Sequence, residues 1–308
     1  MKKTFIITLL TLLAVFAFVS CSGGSDPHTL KYLTFESTTS FSIYTDYFLN
    51  NWNGTLEYST DTSTWTVWDG TKITSALYDG KYSIFFRGIG NTIITGPHTL
   101  FISRWVITGS NVECKGDIRT LLNYDNPDDS TMAPYCFSGL FYDCTSLIIA
   151  PELPATTLAE SCYSLMFYNC RNLTTAPELP ATTLAESCYE SMFFGCRSLK
   201  TAPELPATKL ADYCYGGMFY GCSSLKTAPI LPATTLVEGC YDSMFESCSN
   251  LNSITCLATD ISARNATKYW VLGVNKKGKF HVPSTMKSAW EAKDSRDGKP
   301  SNFSWNFI

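Results

Sequence analysis

The chain has 308 residues, with 23 basic and 27 acidic side chains and a net charge of −4. That balance argues against nucleic acid as a partner, because phosphate binding needs a basic patch. Charged residues are only 16% of the total while Thr, Ser and Tyr are abundant, a composition that suits an exported, β-rich protein of about two domains.

The chain opens MKKTFIITLLTLLAVFAFVSCSGGSD. Two lysines, an apolar run from Phe5 to Val19, small Ser20 and then Cys21 have the layout of a lipoprotein signal. The apolar run is shorter than the roughly 20 residues a membrane-spanning helix needs. Residues 1–20 are therefore expected to be removed, Cys21 to carry lipid, and residues 21–30 to form a linker. No later stretch is apolar enough to cross a bilayer.

From residue 31 to 116 the apolar period is two. Short runs rich in β-branched and aromatic residues, such as YLTFES, TLEYSTDTSTWTVW and KYSIFFRGI, alternate with turn residues and predict a β-sandwich. Ser59 to Trp65 resembles an Asp-box hairpin with Ser63 where glycine is usual. A single degenerate copy reads as a stable turn beside a packed tryptophan. Trp52, Trp65, Trp68 and Trp105 are either core residues or stacking platforms for sugars.

Residues 117–149 are expected to be an N-terminal cap, with Ile118, Leu121 and Leu122 as a first strand and residues 126–129 as a loop. Half a repeat follows, containing Cys136, Phe141 and Cys144. Residues 150–253 then write one 26-residue unit four times, the second copy reading APELPATTLAESCYESMFFGCRSLKT. A fixed period of that size marks a solenoid whose units bury their apolar faces against their neighbours. Phe167, Phe193, Phe219 and Phe245 are predicted to form one buried ladder and Leu173, Leu199, Leu225 and Leu251 another. Pro177 and Pro180 forbid a helix through the first piece of the unit, and CYxxMF is expected to form a helical or 3₁₀ turn. After residue 253 the pattern dissolves into an expected C-terminal cap, 254–308. It should hold a short helix carrying Ala266, Tyr269 and Trp270, a strand near residues 279–282, and the aromatic tail Phe303, Trp305 and Phe307.

Besides Cys21 there are twelve cysteines, ten of them in pairs eight apart: Cys136 and Cys144, Cys162 and Cys170, Cys188 and Cys196, Cys214 and Cys222, Cys240 and Cys248. Two buried thiol ladders and one disulfide per repeat are both open. Metal binding is disfavoured, since the three histidines, His28, His98 and His281, fall outside the repeats. Glu160, Glu186, Asp212 and Glu238 share one repeat position, and Glu152, Glu178 and Glu204 another. Recurrence with the period suits a solvated face better than an active site, which is made once. No catalytic motif occurs and no catalytic residue, cofactor or metal is expected, so the chain reads as a non-enzyme. Tyr168, Phe194 and Tyr220, with Arg171, Arg197, Lys200 and Lys226, are the candidate partner-binding row, being the aromatic and cationic types that dominate interfaces.

The unit L-x-x-A-P-x-L-P-x-x-x-L-x-x-x-C-Y-x-x-M-F-x-x-C-x-x-L resembles the BspA-like leucine-rich repeats of surface proteins from Bacteroides-type bacteria, through Phe193, Cys196 and Leu199 and their equivalents. It departs by a longer unit and by the extra cysteine eight residues upstream. The resemblance implies a right-handed leucine-rich solenoid and a protein or glycan partner at the cell surface. It also implies an outer-membrane lipoprotein facing outward, although only Asp26 stands where exported lipoproteins of this kind carry an acidic cluster. The alternative expectation is a glycan-binding sandwich of a nutrient-uptake system, with the repeats as a spacer.

Overall fold

The computed structural model describes residues 31–46, 52–97, 104–294 and 296–308. The signal segment, Cys21, the linker, His28 and His98 lie outside these. The chain is mainly β, with a β-solenoid of about three turns toward its C-terminus.

Alternating apolar residues lay down nine strands in the first part: β1 (Leu33–Ser37), β2 (Ser42–Thr45), β3 (Thr55–Ser59), β4 (Thr66–Val67), β5 (Ile73–Thr74), β6 (Ala76–Tyr78), β7 (Lys81–Ile89), β8 (Trp105–Thr108) and β9 (Val112–Lys115). One sheet has the order β9–β1–β7–β3–β4, antiparallel, with β6 also on β7. A smaller one has the order β5–β2–β8. Period two sends Leu33, Phe35, Ile84 and Phe86 into the interior. There Trp105 of the small sheet meets Phe86 of the large one at 4.7 Å between ring centroids and Trp68 at 4.8 Å. β7 passes so close to Leu121 that a Cβ on Gly88 would sit 1.6 Å from the Leu121 carbonyl oxygen, which is why glycine stands there.

The expected strand at Ile118 to Leu122 is instead a 3₁₀ turn, Ile118–Leu121. Asp117 caps it, its carboxylate accepting from the Arg119 amide at 2.8 Å. Residues 127–129, expected as loop, form a second 3₁₀ turn. Next, β10 (Leu147–Ile149) joins the large sheet by pairing in parallel with β9. One hydrophobic cluster runs from Leu33 to Phe303, so the change of period near residue 116 changes local structure without interrupting the core.

The segment carrying CYxxMF is neither α- nor 3₁₀-helical. A residue with positive φ recurs every fourth position: Tyr135, Gly139 and Asp143, then Ser161, Leu165 and Asn169, then Ser187, Ser191 and Gly195, and so on to Asn265, Tyr269 and Gly273. These left-handed residues break the run of right-handed dihedrals a helix needs. Alternate amides therefore go two ways. Cys136, Ser138, Leu140, Tyr142 and Cys144 each donate three residues back, while Tyr135, Phe137, Gly139, Phe141 and Asp143 donate to carbonyls 25 residues ahead, such as Phe137 to Cys162 at 2.9 Å and Phe141 to Met166 at 3.0 Å. The turns of one coil are thus hydrogen-bonded onto the turns of the next.

Behind 258–273, where the sequence pattern fades, the same geometry continues: Tyr241 donates to Ala266, Ser243 to Lys268 and Phe245 to Trp270. The expected helix here is another turn run. The stack closes with a parallel sheet of β11 (Thr227–Leu231), β12 (Ser253–Cys256), β13 (Gly278–Val282) and β14 (Phe303–Phe307), and with α1 (Lys287–Glu291). The strand near 279–282 falls where the sequence places it, and the aromatic tail Phe303, Trp305 and Phe307 is a strand as well. Trp270 stacks on Trp290 at 5.4 Å and donates its indole N–H to the Gly298 carbonyl, closing the interior.

Candidate functional site

Each coil alternates an inward and an outward aromatic. Phe141, Phe167, Phe193, Phe219 and Phe245 are fully buried and stack at 5.6, 5.6, 5.7 and 5.8 Å. Full burial of each such rung is worth about 1.5–3 kcal/mol. The next residue in each coil faces outward and precedes the third left-handed position. Tyr142, Tyr168, Phe194 and Tyr220 are half-buried and stack nearly parallel, at 4.6, 4.4 and 4.3 Å. The predicted row is therefore brought together, with Tyr142 as a fourth ring. The signal for it was present, since Tyr142 follows Phe141 as Tyr168 follows Phe167.

Because the rings cover one another's faces, the row presents edges and phenol groups to solvent. Burial and the neighbouring Tyr142 phenol push the Tyr168 hydroxyl above its ordinary value. At one end Arg104 lies 5.9 Å from the Tyr142 centroid, held by Asp46 at 2.9 Å and Asp143 at 3.5 Å. Beyond Tyr220 the position passes to Glu246 and then to exposed Leu272. Arg171, Arg197, Lys200 and Lys226 are exposed, and none joins an ion pair among the described residues.

All twelve described cysteines are free and buried, so the thiol ladders stand and the disulfide per repeat does not. The cysteines on the two ladders differ in role. Cys170, Cys196, Cys222 and Cys248 each donate their thiol to the phenylalanine carbonyl one coil back, Phe141, Phe167, Phe193 and Phe219, at 2.9 to 3.1 Å; Cys144 does the same to Trp105 at 3.0 Å. Cys162, Cys188 and Cys214 fill space next to the buried tyrosines, while the Cys240 thiol donates forward to the Ala266 carbonyl at 3.9 Å. Burial pushes Cys188, Cys240 and Cys248 up to about 12, which makes these thiols poor nucleophiles at neutral pH. No group of three or more His, Cys, Asp or Glu is placed to hold a metal among the described residues.

The two carboxylate rows also differ. Glu160 accepts from the Tyr135 hydroxyl at 3.0 Å, and Glu238 from Tyr213 at 3.2 Å and from Arg264 at 3.5 Å. Glu152, Glu178 and Glu204 are exposed and line two adjoining clefts of 410 and 310 Å³ walled by alanine and proline.

In the sheet region the Ser59 to Trp65 hairpin is a tight turn. Asp61 accepts from the Ser63 and Thr64 amides and from the Ser59 hydroxyl; these bonds, the backbone ones foremost, hold its carboxyl down at about 2. Trp68 and Trp105 are interior and Trp52 stacks on Trp68 at 5.3 Å, so these three are spent on packing. Trp65 lies between Tyr32, at 4.6 Å, and the Arg87 guanidinium, at 4.2 Å.

Comparison of the chain with protein-family models, curated proteins and solved structures finds no match.

Proposed function

We propose that this is a non-enzymatic cell-surface lipoprotein, anchored to the outer membrane through lipid on Cys21 and facing outward. In this reading the N-terminal sheets form a β-sandwich and the coils a BspA-like leucine-rich-repeat solenoid of 26-residue units, which binds a macromolecular partner. The observation that carries it is the outward row Tyr142, Tyr168, Phe194 and Tyr220, in a region that also carries Arg171, Arg197, Lys200 and Lys226, exposed and in no ion pair among the described residues. A contiguous half-buried aromatic stripe, with exposed cations in the same coils, has the composition of an interface hot spot.

The geometry favours a protein over a sugar at this row. Sugars pack onto open ring faces, and here the faces between neighbouring rings are covered. Edges, phenol hydroxyls and guanidinium groups suit the carbonyls, carboxylates and apolar side chains of a protein surface. The alternative, a glycan-binding sandwich, has little to draw on, since three of its four tryptophans are packed away.

The test is adhesion of purified protein to immobilised matrix proteins and cell layers, compared with the variant R171E/R197E/K200E/K226E. These side chains are exposed and join no ion pair among the described residues, so the variant should melt like the parent, and binding should fall on the order of tenfold or more. Unchanged adhesion removes the row from the function. Signal on a glycan array that ignores the variant moves function to the sheets.

A further inference from the structure

The Ala-Pro-Glu-Leu-Pro arc of the coils lies elsewhere on the contour from the aromatic row, and its chemistry is opposite. Proline has no amide hydrogen, and Pro151, Pro154, Pro177, Pro180, Pro203 and Pro206 repeat through three coils. No backbone hydrogen bond joins residues 176–181 to residues 202–207, although the turn arcs of the same coils are bonded at every second residue. The coils are unclosed here, and a cleft of 310 Å³ opens between Ala176, Pro177, Leu179 and Pro180 on one side and Ala202 and Pro203 on the other. The adjoining cleft of 410 Å³ shares Pro177, Glu178 and Pro180 with it. Together they form one groove across three coils.

Its walls are apolar and its rim is anionic. Glu152, Glu178 and Glu204 contribute one exposed carboxylate per coil, and none makes an ion pair among the described residues. The next coil ends the row with Ile230, 60% exposed. Carboxylates spread one per coil along a groove do not converge on a single ion, in keeping with the lack of a metal-holding group among the described residues.

We propose that this groove docks an extended cationic polypeptide segment of a partner protein. Lysine or arginine side chains of that segment pair with Glu152, Glu178 and Glu204, its aliphatic stems and prolines lie on the alanine and proline walls, and its amides donate to carbonyls that the proline-interrupted arc leaves without a neighbour. Extended chains recognised through backbone and alternate side chains are a common mode of peptide capture.

The experiment is fluorescence anisotropy with the purified protein and a labelled lysine-proline repeat peptide, beside its neutral glutamine-proline analogue. The lysine peptide should bind and weaken steeply with salt. E152Q/E178Q/E204Q should weaken it on the order of tenfold or more, while E160Q/E186Q, in the other carboxylate row, leaves it unchanged; both variants alter exposed side chains and should melt like the parent. Absence of binding, equal binding of the neutral peptide, or equal loss in the two variants each overturns the proposal. None of these measurements involves the aromatic row, so they stand or fall apart from the adhesion test.

Discussion

The sheets and the coils reach the same dryness by different means. In the sheets, hairpin pairings such as β6 with β7 are mixed with pairings far apart in sequence such as β1 with β9, and the interior is an irregular set of aromatic contacts around Trp105. In the coils the buried rings meet their equivalents in the next coil, and the interior is a set of parallel files. One region is specified by particular partners and the other by repetition, so a defect should stay local in the first and travel along the file in the second.

Several substitutions sharpen that contrast. The largest effect is expected from Phe193→Ala, which empties a rung in the middle of its file and should cost about 3–5 kcal/mol, with amide exchange rising in both neighbouring coils. Trp105→Ala should cost as much but raise exchange in both regions, because its ring meets Phe86 and also, at 6.5 Å, Phe141 of the first coil. A loss confined to one region would show that the shared core does not couple them.

Alkali should break the coils first. Thiols ordinarily near 9.0 are pushed up to about 12 at Cys144, Cys188, Cys240, Cys248 and Cys256, and burial raises the phenols of Tyr163, Tyr189 and Tyr241 as well. The folded state holds these protons more tightly than the unfolded chain. The stabilisation is therefore complete below the unfolded value and is lost as pH climbs from about 9 toward about 12. Circular dichroism against pH should show unfolding in that window, and iodoacetamide at neutral pH should modify none of the twelve described cysteines until the protein is denatured.

Smaller effects of opposite sign should follow at glycine. Leu165 has φ of 57°, where a side chain costs about 1–2 kcal/mol, so Leu165→Gly should raise the melting temperature. Gly88→Ala in the sheets should lower it through the clash with Leu121. The smallest effect is expected from Tyr163→Phe: its buried hydroxyl has no hydrogen-bond partner among the described residues, so removal should be neutral or stabilising. A marked loss on thermal melting would mean the hydroxyl is engaged.

Much of the coil region was legible because burial repeats with the period: Phe167, Phe193, Phe219 and Phe245, the leucines and both cysteine positions can be assigned from letters alone. The turn geometry was not, since left-handed positions are filled by Ser, Asn, Gly, Tyr and even Leu165, which share no single propensity. The coil at 258–273 was missed for a related reason. There the Tyr241, Met244, Phe245 and Cys248 positions become Thr267, Trp270, Val271 and Val274, and Trp270 stacks under Tyr241 at 6.4 Å, filling with one large ring what the other coils fill with several side chains. Ile118 and Leu121 alternate poorly and lie beside Asp117, whose cap decided for a 3₁₀ turn. Of the candidate site, the aromatic row was readable, whereas the proline groove was not, because it depends on hydrogen bonds that do not form.

The direction of the inter-coil bonds has one more consequence. Every second turn amide points forward to the next coil and the thiols of Cys170, Cys196, Cys222 and Cys248 point back to the previous one, so these coils offer like faces. At the far end Asp297 accepts the Tyr269 amide at 3.1 Å, doing for the last coil what another coil would do. Duplicating residues 202–227 in the gene should therefore yield a longer molecule with both ends untouched, and the length of such a protein is free to drift by whole units under recombination while its chemistry stays constant.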